Sequence, residues 1–171
     1  MSVHSKQIEK MFKSVNPQGH YMSKQAKVYV ALLLDKVLLI FLQQCYSLMH
    51  PKNIGGKALS CEQDISNETV KTAVRLCLPR ILQKYALREI DRASQKTILS
   101  TTTLKTKTEE YLHCKVDDPV ALSITVLLEY ILAEIAELSG NVTDRRETNV
   151  EDVKVAIEND DELKSLLQCI M

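Results

Sequence analysis

Glycine and proline are scarce, four of each in 171 residues, and aromatic residues make up only 5% of the chain. So little Gly and Pro excludes a linker-rich protein and the many tight turns of an all-β domain. The motifs of several chemistries are missing as well. Gly55-Gly56 is not followed by the lysine and serine of a phosphate-cradling loop. The five cysteines (Cys45, Cys61, Cys77, Cys114, Cys169) are odd in number and scattered, and neither they nor His113 show metal-ligand spacing. They read as free thiols in a reducing intracellular compartment. The six tyrosines are not interleaved with basic residues as a base-stacking platform requires, and Tyr46 and Tyr130 are expected to pack between helices. The acidic residues lie without a histidine or nucleophile beside them, so no enzyme, metal or cofactor is indicated.

What is present is helix-forming and segregated by charge. At 45% hydrophobic the chain is too apolar to be disordered. The balance of 22 basic against 22 acidic residues hides a division. Residues 1–104 hold 15 Lys and Arg against 7 Asp and Glu, a net of +8, and residues 105–171 hold 7 against 15, a net of −8. A basic half joined to an acidic half implies that the two meet different partners, or each other.

Periodicity divides the chain into two copies of one plan. Val3 to Val15 is a short amphipathic segment, and the turn Asn16-Pro17-Gln18-Gly19 leads to a helix from Ser23, able to cap its first turn, to Met49, ended by His50-Pro51. That long helix is apolar nearly all round, so a surrounded central rod is expected. Asp35-Lys36 and Gln43-Gln44 interrupt it, which argues against a membrane span. After a polar loop, Ser66 caps a short helix to Leu78, and Arg80 to Lys96 adds a further amphipathic one. The second half follows suit. A weak helix from Leu104 to Cys114 precedes a long one, Val120 to Ser139, with Asp117 or Asp118 and Pro119 as the start signal and Gly140 as the stop. Asn149 then caps Val150 to Glu158, and Asp160 to Ile170 closes the chain. Val70-Lys71-Thr72-Ala73-Val74 matches Val153-Lys154-Val155-Ala156-Ile157 at an offset of 83, and Asp35 pairs with Glu129 at 94, so the first loop carries about 11 extra residues. One unit cannot bury such a rod alone. The expected architecture is an all-α, fused pseudo-dimer, residues 1–99 and 100–171.

The same segments resemble core histones. IEKMFKSVNPQGHYMSKQAK (residues 8–27) and ISNETVKTAVRLCLPRILQKYALREIDRASQK (65–96), with Thr72 to Pro79 the most specific part, are similar to histone 2B. PVALSITVLLEYILAEIAELSGN (119–141) and VKVAIENDDELKSLL (153–167) are similar to histone 2A. The order, 2B then 2A, resembles the histone doublets of certain giant DNA viruses. The resemblance implies two tandem histone folds packed in an intrachain handshake as a pseudo-heterodimer. It also implies a non-enzymatic chromatin protein of a nucleus, viral factory or virion, placed in a nucleosome-like particle beside a histone 3–4 type partner.

Carried over residue by residue, DNA phosphate contacts fall on Lys24, Lys27, Lys115, Arg145 and Arg146. The second loop of the 2B-like half, Cys61 to Ile65, has lost its basic residues, and in the 2A-like first helix Lys105 and Lys107 are followed by Glu109-Glu110. An acidic surface for arginine-bearing proteins falls on Glu129, Glu134, Glu137, Asp160, Asp161 and Glu162, joined by Glu89, while Ile81 replaces a second 2B-like acid. The family's basic tails and the 2A docking tail have no counterpart, and residues 51–64 are an insertion. The alternative expectation is a protein-interaction module or histone variant on the same fold with weak or no DNA wrapping.

Overall fold

A computed structural model of the chain describes residues 5–17, 19–51 and 64–168. These form eight helices and two strands of two residues each. The described residues are all-α apart from that short pair. In order, the elements are α1 (Ser5–Val15), β1 (Tyr21–Met22), α2 (Lys24–Met49), α3 (Asn67–Cys77), α4 (Arg80–Asp91), α5 (Thr101–Leu112), α6 (Asp118–Asn141), β2 (Glu147–Thr148), α7 (Val150–Asn159) and α8 (Asp161–Gln168).

The helix starts follow local chemistry. Ser23, Ser66, Ser100 and Asp117 each accept a backbone N–H of the first turn through the side chain. Asn149 and Asp152 form a reciprocal capping box at α7. The α5 helix ends on His113 in the left-handed region (φ 53°), a position that favours Gly or Asn.

Two long helices organise the core. Asn16, ahead of α2, donates to the carbonyl of Ala136 near the end of α6, while Asn67, the first residue of α3, accepts from Ser123 near the start of α6. The start of α2 therefore lies beside the end of α6. Ile124, Leu127, Leu128, Ile131, Leu132 and Ile135 of α6 are all at most 1% exposed. α6 is covered by α1, α3 and α4 from the first half and by α5 and α7 from its own. α2 packs on α1, α3, α6, α7 and α5. The Lys107 ammonium of α5 reaches Asp35 of α2 at 2.8 Å, a half-buried ion pair between the halves.

Several sequence expectations need correction. α2 is not surrounded: Val28, Leu32, Leu39 and Tyr46 are 44–54% exposed along one face. Both α2 and α6 are long and apolar enough to cross a membrane by length and composition, and the apolar window of α6 is the more buried, at 61% against 50%. Tyr46 lies exposed, stacked on His50, while Tyr130 is packed against the core. The helix expected to run to Lys96 stops at Asp91, and α5 begins at Thr101. Gly140 does not stop α6, which runs through it to Asn141. The starts of α1 and the ends of α8 proposed from periodicity, and residues 52–63 of the insertion, lie outside the described residues.

Candidate nucleic-acid and acidic-docking surfaces

The turn after α1 and the turn before α7 are joined by the parallel pair β1–β2, with Tyr21 opposite Glu147 and Met22 opposite Thr148. Tyr21 N–H donates to the Arg146 carbonyl and Ser23 N–H to the Thr148 carbonyl, both at 2.9 Å. This pairing sets the amino ends of α2 and α7 side by side over an open cleft of about 320 Å3 lined by Ser23, Gln25, Glu147, Asn149, Val150 and Glu151. Helix amino ends present unpaired N–H groups and a partial positive charge, a suitable setting for phosphate.

The cations expected there divide into two kinds. Lys24 and Arg146 are exposed at this end of the molecule, Lys24 as the first residue of α2 and Arg146 immediately before β2. Lys27 is half-buried and bound to Glu9 at 3.1 Å, so it serves the α1–α2 contact. Arg145 donates to both Asp152 carboxylate oxygens at 3.1 Å and to Thr143, which draws it back against α7. Glu147 and Glu151 at the cleft mouth oppose phosphate, although Glu151 is paired with Lys154 at 2.7 Å. Lys115 does not join this group. It is exposed just ahead of α6, whereas β2 follows the other end of that helix, and it lines a cleft of about 610 Å3 with Asp64, Glu109 and Asp117.

A basic face on α1 escaped the sequence reading. Lys6, Lys10 and Lys13 are exposed at i, i+4 and i+7, a helical spacing visible in the sequence itself. Glu9 holds Lys13, and Lys10 lies close enough to Glu129 to act on its charge.

The seven acidic residues divide in the same way. Glu134 hydrogen-bonds the Tyr130 phenol one turn earlier and feels the charges of Glu137 and Asp160. Burial first, then those neighbours, push its carboxyl above the ordinary range. The Tyr130 phenol is raised by burial and by Glu134 and Glu162, with Tyr85 of α4 also near. Glu89 sits one turn beyond Tyr85 on the same face of α4, exposed, as are Glu137 and Asp161. The other three are engaged by backbone. Asp160 accepts the N–H groups of Glu162 and Leu163 and caps α8. Glu162 accepts Ile81 N–H at 2.9 Å and Leu82 N–H at 2.7 Å, which caps α4 where Pro79 offers no side-chain acceptor. Glu129 accepts the N–H groups of Ile98 and Leu99, and burial raises its carboxyl despite those bonds.

Glu162→Ala should therefore cost about 1 kcal/mol of stability, as loss of a helix cap does. Amide exchange at Ile81 and Leu82 should speed up in this variant but not in Glu137→Ala. Equal protection in the two variants would contradict the capping role.

No protein-family model matches the chain, and no curated protein matches it.

Proposed function

We propose that the chain is a pair of tandem histone folds in an intrachain handshake, a fused 2B–2A histone doublet. Its role is to help compact duplex DNA in a nucleosome-like particle of a nucleus or viral factory, beside a histone 3–4 type partner. The observation that carries this reading is the β1–β2 pair. It joins the loop before the long helix of one half to the loop before the short helix of the other. Two helix amino ends then open at one edge, with Lys24 and Arg146 flanking them. Lys24, Arg146 and the α1 lysines Lys6 and Lys10 would meet phosphate. Backbone amides and lysines at such an edge cannot distinguish base edges, so binding is independent of sequence. The cluster around Glu134, Glu137 and Tyr130 would receive arginine-bearing proteins through charge-assisted hydrogen bonds.

A second reading is a histone-fold interaction module with little or no DNA wrapping. The engagement of Lys27 by Glu9 and of Arg145 by Asp152, together with Glu147 at the cleft mouth, favours it.

Duplex binding measured against salt, with and without a histone 3–4 type partner, separates the two. The first reading expects affinity to fall with salt at a log–log slope of about −0.9 for each phosphate neutralised, equally for unrelated sequences. Absent binding in the presence of the partner leaves the second.

A further inference from the structure

The nine residues 92–100 that connect α4 to α5 are docked, not slack. Leu99 is 3% exposed and Ile98 packs against the core. The N–H groups of both donate to one oxygen of Glu129 on α6, that of Leu99 at 2.7 Å. Thr97 Oγ1 donates to the Leu99 carbonyl at 2.9 Å, and Ser100 caps α5 by accepting from Thr103 N–H. At its other end α4 begins on the carboxylate of Glu162 in α8. The whole stretch 80–100 is thus gripped at both ends by carboxylates of the second half.

This grip bears on which halves meet. The contacts between halves include the β1–β2 pair, the packing of α1, α2, α3 and α4 on α6 and of α2 on α7, Lys107 with Asp35, and Ser123 with Asn67. None of them requires both halves to belong to one chain. Halves carrying +8 and −8 attract equally well within and between chains. Once undocked, nine residues reach about 30 Å when extended, enough for the halves to part. The identical contacts can then form by exchange between two copies. Docking keeps the cognate half at high effective concentration.

We propose that residues 92–100 are a latch. Closed on Glu129, it holds the two halves as partners within one chain; opened, it lets two chains exchange halves and form a swapped dimer. The latch is independent of whether the chain binds DNA.

Amide exchange and light scattering on the full-length chain test it. The unaltered protein should be a monomer in which the Ile98 and Leu99 amides are protected at least about 10-fold over unstructured peptide. Glu129→Ala, which removes the acceptor, should lose most of that protection while Tyr21 and Ser23 keep theirs. After unfolding and refolding across a concentration series, this variant should show a several-fold larger dimer fraction. Leu99→Ala, which leaves the carboxylate in place, should do the same. Free exchange at Ile98 and Leu99 in the unaltered protein overturns the proposal whatever the variants do. So does a variant that keeps the protection, or one that loses it and stays monomeric. A dimer that forms on simple concentration without refolding marks association of faces and also counts against the latch.

Discussion

Gly140→Ala should destabilise the fold by about 2–4 kcal/mol, the balance of overpacking and lost hydrogen bonds against a gain of up to about 1 kcal/mol in helix propensity. Gly140 is buried in the last turn of α6, and a Cβ there would lie 1.7 Å from Asn16 Oδ1 and 2.5 Å from its Cγ. A side-chain tip usually swings aside, but this one is tied. Asn16 Nδ2 donates to the carbonyls of Phe12 at 2.9 Å and Ala136 at 3.0 Å, and the residue is 9% exposed. Moving it breaks both bonds in a place water does not reach. Its Oδ1 is buried without a hydrogen-bond partner, so no compensating bond is lost or gained on that side. For a chain of this size the expected fall in midpoint is roughly 5–15 °C. In an Asn16→Gly background the same substitution should be close to neutral, and the double-mutant cycle should show strong coupling. Additive costs would mean that the clash is relieved some other way.

The second large effect concerns phosphate. Lys24→Ala combined with Arg146→Ala should make the log–log salt dependence of duplex binding shallower by about 1.8, two phosphates at 0.9 each. At 0.15 M salt that corresponds to an affinity loss on the order of 30-fold, taking the difference to vanish near 1 M. Thermal stability should stay within about 0.5 kcal/mol, as for exposed surface changes. The β1–β2 pair uses the Arg146 carbonyl and not its side chain, so truncation leaves the edge intact. Arg145→Ala should behave differently. It removes the partner of the Asp152 carboxylate, which is 9% exposed and also accepts Asn149 N–H in the α7 capping box. Stability falls along with binding in that variant. Unaltered binding in the Lys24/Arg146 variant would shift weight to the interaction-module reading.

These contrasts mark where local sequence rules stop. Ser23, Ser66, Asp117 and Asn149 were legible as helix caps because a cap acts on amides two or three residues away. Basic and acidic candidates were legible as charges, but their engagement was not. Lys27 meets Glu9 across 18 positions and Glu162 meets Leu82 across 80. Arg145 and Asp152 are only seven apart, yet the bend that lets them meet comes from Thr143 and the capping box. The β1–β2 pair left no pattern at all, since two residues cannot display alternation and their partners lie 126 positions apart. The connecting segment continues the helical pattern of α4 on paper. In the fold Glu129 takes its amides and Leu99 is buried, so it leaves the helix after Asp91.

By itself the sequence determined helical class, the two long apolar rods, most helix starts and the separation of charge. Each of these rests on propensity, capping or periodicity within a few turns of chain. Only the tertiary structure decided which face of α2 stays open, which cations and carboxylates remain available to a ligand, and why residue 140 is glycine. Gly140 reads locally as a helix stop, whereas in the fold it is the space that the Asn16 side chain needs. Such outcomes depend on groups brought together across tens of residues, where burial and competition for hydrogen bonds outweigh any local preference.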